Sequence, residues 1–261
     1  MIQDITPDLA RYFGLKATKG VLISDITKGS PAEKAILKRG DIMSRINGKD
    51  TENAQLTFTM IHNWGEEMMV RPRSVAQVEE GGLFLNNYIC MKPVRSLQMY
   101  PTIHLVGKNA IARFYSIVVG SPGSEYDLGG RVFLKKPGNR AEIVTRTISN
   151  GGKIIARGHL IGEVPEVKAH LECRGLLING GFIHAIPELE GHVDGVELSH
   201  EAAVGKIAQE EIAYLMSRGL SEEEATSTIV RGFLSVDIPG LPLQLKAEVD
   251  RVIEKSDKEV M

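Results

Sequence analysis

The sequence feature that most restricts the fold is a long series of short, strand-like runs separated by glycine-containing turns. Such runs occupy residues 54–195, for example AEIVTRTIS, GKIIARGHLIG and EVKAHLECRGLLI, and breaks such as Gly151-Gly152 lie between them. Short apolar and β-branched runs bounded by glycine are typical of β-strands. Because no long helical period crosses this region, we predict that it is almost entirely β.

The spacing of the runs narrows the fold to two architectures. From Ala141 onward the runs restart near Gly152, Glu166, Gly181 and Val193, which is a spacing of roughly 11 to 15 residues. This spacing suits either a β-sandwich or a coil with two strands per turn. In the second case, a parallel β-helix, each coil completes the inward face of its neighbours and the open ends need covers. The spacing alone leaves both architectures open.

The residues after Leu198 follow a different, helical pattern. Ser199 has the chemistry of an N-cap, since its hydroxyl can accept a hydrogen bond from a free N–H of the first turn. A helix beginning there would carry His200 and Glu201 in that turn, where the helix dipole favours the negative charge of the glutamate. His200 has no comparable explanation, and this makes it a candidate ligand.

Three helices in total are predicted in this C-terminal region. Gly219 is expected to end the first as a C-cap, and Ser221 with Glu224 forms a capping box for the second. A third amphipathic stripe follows the break DIPGLP and consists of Leu245, Val249, Val252 and Ile253. A region of this size is too small to be stable alone, so we expect it to pack on the β region.

Composition and motif content exclude several classes of protein. Thirty-one basic and 33 acidic residues give a net charge of -2, which argues against binding nucleic acid or an anionic membrane through bulk charge. No apolar run reaches the ~18 residues of a membrane span, and MIQDITPDLA lacks the features of a signal peptide, so a cytoplasmic protein is expected. The patterns GxSxG, HExxH and GxxxxGKS are absent, which argues against a hydrolase. We expect a protein without catalytic turnover of its own.

Residues 1–50 differ from the rest and predict a small α+β fragment. VLISDITKGSPAEKAILKRGDIMSRINGKD reads as a short strand, a turn, a short helix and a second strand. The stretch from ITPDLARYFG to INGK resembles the PDZ domain of HtrA/DegQ-type serine proteases. The glycine-containing loop and the helix that form the peptide groove in that family have no recognisable counterpart here. A structural module is therefore favoured over a working peptide clamp.

A second resemblance covers about residues 54–261. It is carried by ELSHEAAVGKIAQEEIAYLMSRGLSEEEATSTIVRGFL, YPTIHLVGKNAIARFYSIVVG, NRAEIVTRTISNGGKIIARGHLIG and HNWG. These stretches are similar to the SufB/SufD family of the SUF iron–sulfur cluster assembly system. The resemblance implies a right-handed parallel β-helix followed by helices. It divides the chain into a PDZ-like segment at 1–50, a β-helix core at 54–198 and a helical region at 199–261.

The resemblance also implies a function and a site. SufB-type chains carry a cysteine on a late β-helix strand and a His-Glu pair at the start of the first C-terminal helix, and Cys173, His200 and Glu201 occupy these positions. The implied role is a scaffold that holds a transient iron–sulfur cluster at a dimer interface, with a second copy or a SufD-like chain as partner. A SufC-type ABC ATPase would dock on the C-terminal helices. An early cysteine of SufB has no counterpart in RPRSVAQVEEGG, and Cys90 lies further along the chain.

Each of these residues also has a purely structural interpretation. Cys173 lies on an apolar strand, where cysteine is commonly a small buried hydrophobe. His184 and His192 lie near the last β coil and could approach the site, whereas His62, His104, His159 and His170 are treated as structural or exposed. The alternative function is a non-catalytic protein-interaction module, or a natural or engineered chimera, that keeps the fold without binding a cluster.

Overall fold

The computed structural model describes residues 55–62 and 64–234, together with three short strands nearer the N-terminus. These are β1 (Ile2–Asp4), β2 (Val21–Ile23) and β3 (Ile42–Met43), and β2 pairs antiparallel with both others. The short strands agree with the prediction for this segment. The short helix predicted between them and the third C-terminal helix lie outside the described residues.

The β region consists of short strands joined by tight turns, as the glycine pattern predicts. Its strands are β4 (Gln55–Ile61), β5 (Met69–Val70), β6 (Val75–Val78), β7 (Leu83–Cys90), β8 (Ser96–Met99), β9 (Thr102–Leu105), β10 (Ile111–Gly120), β11 (Glu125–Leu134), β12 (Arg140–Asn150), β13 (Lys153–Gly162), β14 (Val167–Ile178), β15 (Phe182–Gly191) and β16 (Val196–Lys206). Two helices follow, α1 (Gln209–Ser217) and α2 (Glu222–Leu234).

The strands alternate between two parallel sheets. Sheet I has the order β16-β14-β12-β10-β7-β4, and sheet II has β15-β13-β11-β8-β5 with β6 and β9 alongside. In the long coils each strand pairs with the strand two places along the chain, for example β12 with β14 and β13 with β15. This is a parallel β-helix of about five turns, which confirms the architecture predicted from the resemblance and excludes the sandwich.

Prolines explain why sheet II is interrupted in its first coils. β8 and β9 pair with the two halves of β11, and Pro101 lies between them. Pro72 lies in the same way between β5 and β6. Proline has no N–H to give to a strand ladder, so each strand breaks there. A further proline, Pro187, lies inside β15 at the far end of the sheet.

Side chains of the long strands alternate between the interior and the outer surface. On β14 the interior positions include Val167, Ala169, Leu171 and Cys173, all buried. They join one apolar cluster with residues of both sheets. The outer face of sheet I is also covered in part, because Val230 and Leu234 of α2 pack against a second cluster there. The C-terminal region therefore packs on the β region, as expected.

One sequence prediction is wrong: no helix begins at Ser199. Residues 196–206 form β16, which is paired in parallel with β14 over its full length, and α1 begins only at Gln209. The segment fits the alternating pattern of a strand as well as it fits a helix start, since Val196, Leu198 and Val204 recur at even spacing. Pairing with β14 decides between the two possibilities. The boundary expected between residues 198 and 199 therefore falls inside a strand.

The predicted end of the first helix and the predicted start of the second are confirmed. Gly219 follows α1 with a φ of 98°, and its N–H donates to the carbonyl of Met216. At the start of α2 the N–H of Glu224 donates to Ser221 Oγ over 3.2 Å, and the N–H of Ser221 donates to a Glu224 carboxylate oxygen over 2.8 Å. This reciprocal pair is a capping box. No helix in the described part of the chain is both long and apolar enough to cross a membrane.

A matched pair of glycine substitutions tests the coil packing. A Cβ on Gly129 would lie 2.2 Å from the carbonyl oxygen of Arg157 on the next strand of sheet II, whereas one on Gly232 in α2 meets nothing within 4 Å. We expect Gly129→Ala to lower the free energy of unfolding by about 1–3 kcal/mol. Gly232→Ala should raise it by up to about 1 kcal/mol. Urea denaturation followed by circular dichroism measures both, and equal effects would contradict the packing described.

Candidate functional site

Cys173 lies inside the β-helix on β14, close to the C-terminal end of the solenoid. Its side chain is 2% exposed and belongs to the interior cluster of both sheets. Burial raises the pKa of this thiol to about 11, and the nearby negative charge of Glu172 adds to the rise. In the described structure Cys173 is thus a protonated, shielded thiol, which becomes a strong ligand once a metal displaces the proton.

His200 is on the same inward face, one strand further along. It pairs with Leu171 across β14 and β16, while Cys173 pairs with Ala202, so the two candidate ligands are diagonal neighbours. Strand spacing and rise per residue place their Cα atoms about 8 Å apart. The Nε2 atom of His200 is buried and has no hydrogen-bond partner. A buried polar atom without a partner needs an explanation. Nδ1 of His104 and Nδ1 of His159 have no partner either, but His200 is the one of these three that shares the interior face with Cys173.

Glu201 points the other way, because successive side chains of a strand lie on opposite faces. It pairs with Glu172 of β14, and its carboxylate accepts a hydrogen bond of 3.1 Å from Nη2 of Arg174. The structure therefore brings two of the three predicted site residues together and separates the third. Cys173 and His200 share the interior, and Glu201 lies on the outer face of sheet I.

The outer face holds a second group of donor atoms, which we call the outer-face trio: His170, Glu172 and Glu201. One ligand atom from each lies within 4.8 Å of the others. From the sequence His170 was expected to be structural or exposed, and Glu172 was not among the predicted site residues. The detectable signal was the spacing His170-x-Glu172 on a strand, which puts both side chains on one face. Because a helix was predicted to begin at Ser199, the position of Glu201 beside these two residues could not be inferred.

The last coil of the β-helix is open within the described residues. β15 and β16 are the final strands of their sheets, and most of their side chains are exposed. Several large apolar residues are more than a third exposed there, namely Phe182, Leu189, Val193 and Val204. Unpaired strand edges with exposed apolar side chains are typical of a surface that binds a partner.

The remaining histidines and Cys90 lie elsewhere. His192 contacts Glu190 over 3.2 Å, and the ring of His184 packs edge-on to Phe182, so both have partners on the last coil. Burial lowers the pKa of His62 to about 4, and its Nδ1 lies 2.9 Å from the hydroxyl of Tyr88. Cys90 is fully buried in a different apolar cluster from Cys173. It does not share the candidate site.

The fold and the site define a class before any comparison: a β-solenoid protein with buried sulfur and nitrogen donors beside an open end. The family model for SUF system FeS cluster assembly, SufBD core domain, matches residues 46–233. The chain therefore belongs to the SufBD family of iron–sulfur cluster assembly. A PDZ-domain model matches residues 6–66, which supports the resemblance of the N-terminal segment to a PDZ domain.

Curated relatives agree with this family. The chain is 55% identical over 211 residues to an iron–sulfur cluster assembly SufBD family protein of Archaeoglobus fulgidus, covering 80% of this chain and 57% of the relative. A SufBD family protein of Methanothermobacter thermautotrophicus, strain Delta H, is 52% identical over 209 residues, covering 79% and 51%. One of Pyrococcus horikoshii is 35% identical over 205 residues, covering 78% and 46%. The chain thus spans about half the length of these relatives.

The raised thiol pKa values predict slow alkylation and a specific loss of stability at high pH. The pKa of Cys173 is raised from 9.0 to about 11, and burial raises that of Cys90 to about 12. Below pH 9 both the folded and the unfolded chain keep the Cys173 proton, so its stabilising contribution is complete. Between pH 9 and about 11 only the unfolded chain ionises, and the contribution is lost.

Iodoacetamide labelling with peptide mapping and urea denaturation measure these effects. At pH 8 we expect both thiols to react much more slowly in the folded chain than in urea. The free energy of unfolding should fall more steeply above pH 9 than in a Cys173→Ala variant. Fast labelling of Cys173 at pH 8 in the folded chain would contradict the burial described.

Proposed function

We infer that this chain is a scaffold component of iron–sulfur cluster assembly and holds a labile cluster as cargo at Cys173 and His200. The observation that carries the inference is the buried Nε2 of His200, which has no hydrogen-bond partner and lies on the same face as a buried thiol. Thiolate and imidazole are both ligands that iron–sulfur clusters accept. An iron ion would satisfy the unpartnered nitrogen and favour the thiolate form of the cysteine.

Two inward ligands are too few for a stable cluster, since most take four protein ligands. The proposal therefore includes a partner chain at the open end, either a second copy or a SufD-like chain. The support is the position of His200 on the edge strand β16 and the exposed apolar residues of the last coil. A symmetric dimer would double the donors. Loose, shared coordination suits a cluster that must be passed on.

Glu201 remains a proposed metal ligand, but with a different place from the one the sequence suggested. Its carboxylate is on the outer face of sheet I, with 54% of its side chain exposed. Glu201 would therefore bind a metal ion on the outer face of the sheet. The proposed interior ligands of this chain are Cys173 and His200. This arrangement separates oxygen donors from the sulfur donor.

The C-terminal helices are proposed as the docking region for a SufC-type ABC ATPase. Val230 and Leu234 of α2 hold the helices on the solenoid. Tyr214 and Met216 of α1 are 58% and 45% exposed and provide apolar area for a partner. ATP-driven movement of such a partner could change the environment of the nearby last coil. The proposal assigns no turnover, no nucleic acid and no membrane to this chain.

The cytoplasm is the proposed location. Both cysteines are free, and the cytoplasm keeps thiols reduced.

The alternative to the scaffold is a protein-interaction module that keeps the family fold without a cluster. The match of residues 6–66 to a PDZ domain and the exposed last coil favour this second candidate. The two candidates differ in whether Cys173 binds iron.

Anaerobic reconstitution with ferrous iron and sulfide distinguishes the two candidates. The full chain, alone and mixed with a SufD-like partner, is followed by visible absorption and Mössbauer spectroscopy. We expect a cluster in the unsubstituted chain, and its loss in Cys173→Ala and in His200→Ala. Cys90→Ala is the matched control, because it removes a buried thiol of the other interior cluster and should retain the cluster.

Circular dichroism shows whether each variant is folded. A folded chain without a cluster under both conditions would favour the interaction module. A cluster that survives Cys173→Ala but is lost in Cys90→Ala would overturn the assignment of ligands. Loss of the fold in Cys173→Ala would assign the cysteine a packing role, and His200→Ala then carries the test.

A further inference from the structure

The outer-face trio combines proximity with the donor chemistry of a site for a divalent metal ion. His170 and Glu172 are on β14 and Glu201 is on β16, and their ligand atoms lie within 4.8 Å of one another. One imidazole nitrogen and two carboxylate oxygens suit first-row divalent ions such as ferrous iron. The set contains no thiolate and differs in kind from the interior pair.

The two carboxylates of the trio lie side by side and are neutralised by arginines. Glu172 and Glu201 are direct neighbours across two parallel strands, and like charges in that position repel. Arg174 relieves the repulsion, since its Nε lies 3.2 Å from Glu172 and its Nη2 lies 3.1 Å from Glu201. Arg146 pairs with Glu172 as well. The two carboxylates thus already share a cation, in the form of a guanidinium group.

Arg174, which bridges the two carboxylates, is also the arginine whose ion pairs can open. The side chains of Arg174 and Glu201 are 42% and 54% exposed, whereas those of Arg146 and Glu172 are 13% and 16% exposed. Exposed ion pairs contribute little free energy and open readily. Glu172 is therefore the fixed ligand, held by Arg146, and Glu201 is the ligand that changes partner when an ion enters.

Hydrogen bonds around His170 hold its ring in one orientation. Nδ1 of His170 lies 2.9 Å from Ser199 Oγ, and the hydroxyl of Ser199 donates to the carbonyl of Ala169 over 3.5 Å. The short contact between Nδ1 and the hydroxyl orients the ring and does not engage the other ring nitrogen, Nε2. Metal-binding histidines are commonly oriented in this way by a partner on the other ring nitrogen.

We propose that the outer-face trio binds one ferrous ion, or a similar divalent ion, before the ion meets sulfide. The site uses the same two strands as Cys173 and His200, but the opposite face, so a single sheet separates the two. Only the use of the ion in cluster assembly rests on the proposed function. Binding of the ion follows from the trio alone.

Anaerobic titration of the full chain with ferrous iron, without sulfide, tests the proposal. Bound and free iron are separated by equilibrium dialysis. We expect one ion per chain, with an affinity that falls roughly tenfold or more in His170→Ala and in Glu201→Gln. Arg174→Gln should strengthen binding, because it removes the competing cation. His192→Ala is the matched control, since it removes an exposed histidine of the last coil outside the trio.

Cobalt(II) as a spectroscopic substitute separates this site from the interior one. Nitrogen and oxygen ligation gives visible bands without a thiolate-to-metal charge-transfer band, and Cys173→Ala should leave the spectrum unchanged. A charge-transfer band that disappears in Cys173→Ala would place the ion in the interior and overturn the proposal. So would a folded His170→Ala variant with unchanged affinity, or a chain that binds no ion. A chain that forms no cluster on reconstitution but still binds iron at the trio would support the proposed ion site and would reject only the scaffold function.

Discussion

The parallel register between neighbouring coils is the constraint on which the rest of the structure depends. Strands β12, β14 and β16 are aligned residue by residue, so that Thr145, Cys173 and Ala202 lie in one row across sheet I. A slip of one residue would move every interior side chain of a strand to the surface. The apolar interior prevents such a slip, and the same rows then fix which ligands face which side.

This register gives one pair of strands two chemical environments. Two successive inward rows place a buried sulfur and a buried nitrogen at diagonal positions, away from water. The outward rows collect carboxylates, arginines and His170, with partial access to solvent. Soft and hard metal ligands are thereby kept apart by the thickness of one sheet. A helix at this position would have turned His200 and Glu201 only about 100° apart, whereas a strand sets them on opposite faces.

The sequence pattern located most strands and helix ends, the family resemblance selected the parallel β-helix over the sandwich, and the site was predicted only in part. Glycine-bounded runs located the strands, and Gly219, Ser221 and Glu224 located helix ends, because these signals are local. The segment at Ser199 was misassigned because it satisfies a capping rule and an alternating pattern equally. Only a neighbouring strand, distant in sequence, decides between them. For the same reason Glu172 and His170 were missed as companions of Glu201: their contact depends on the register of β14 with β16.

Pro187 makes the two strand edges at the open end of the solenoid, those of β15 and β16, unequal in their capacity to pair. The N–H groups of Phe182 and His192 donate to the carbonyls of Gly152 and Gly162. Because amide directions alternate along a strand, position 187 faces the free edge of β15. Proline has no proton to offer there, whereas β16 contains no proline. A strand added to the free edge of sheet II would therefore lack one hydrogen bond of its ladder, whereas a strand added to β16 would not lose one to proline. An edge proline of this kind disfavours open-ended addition of strands.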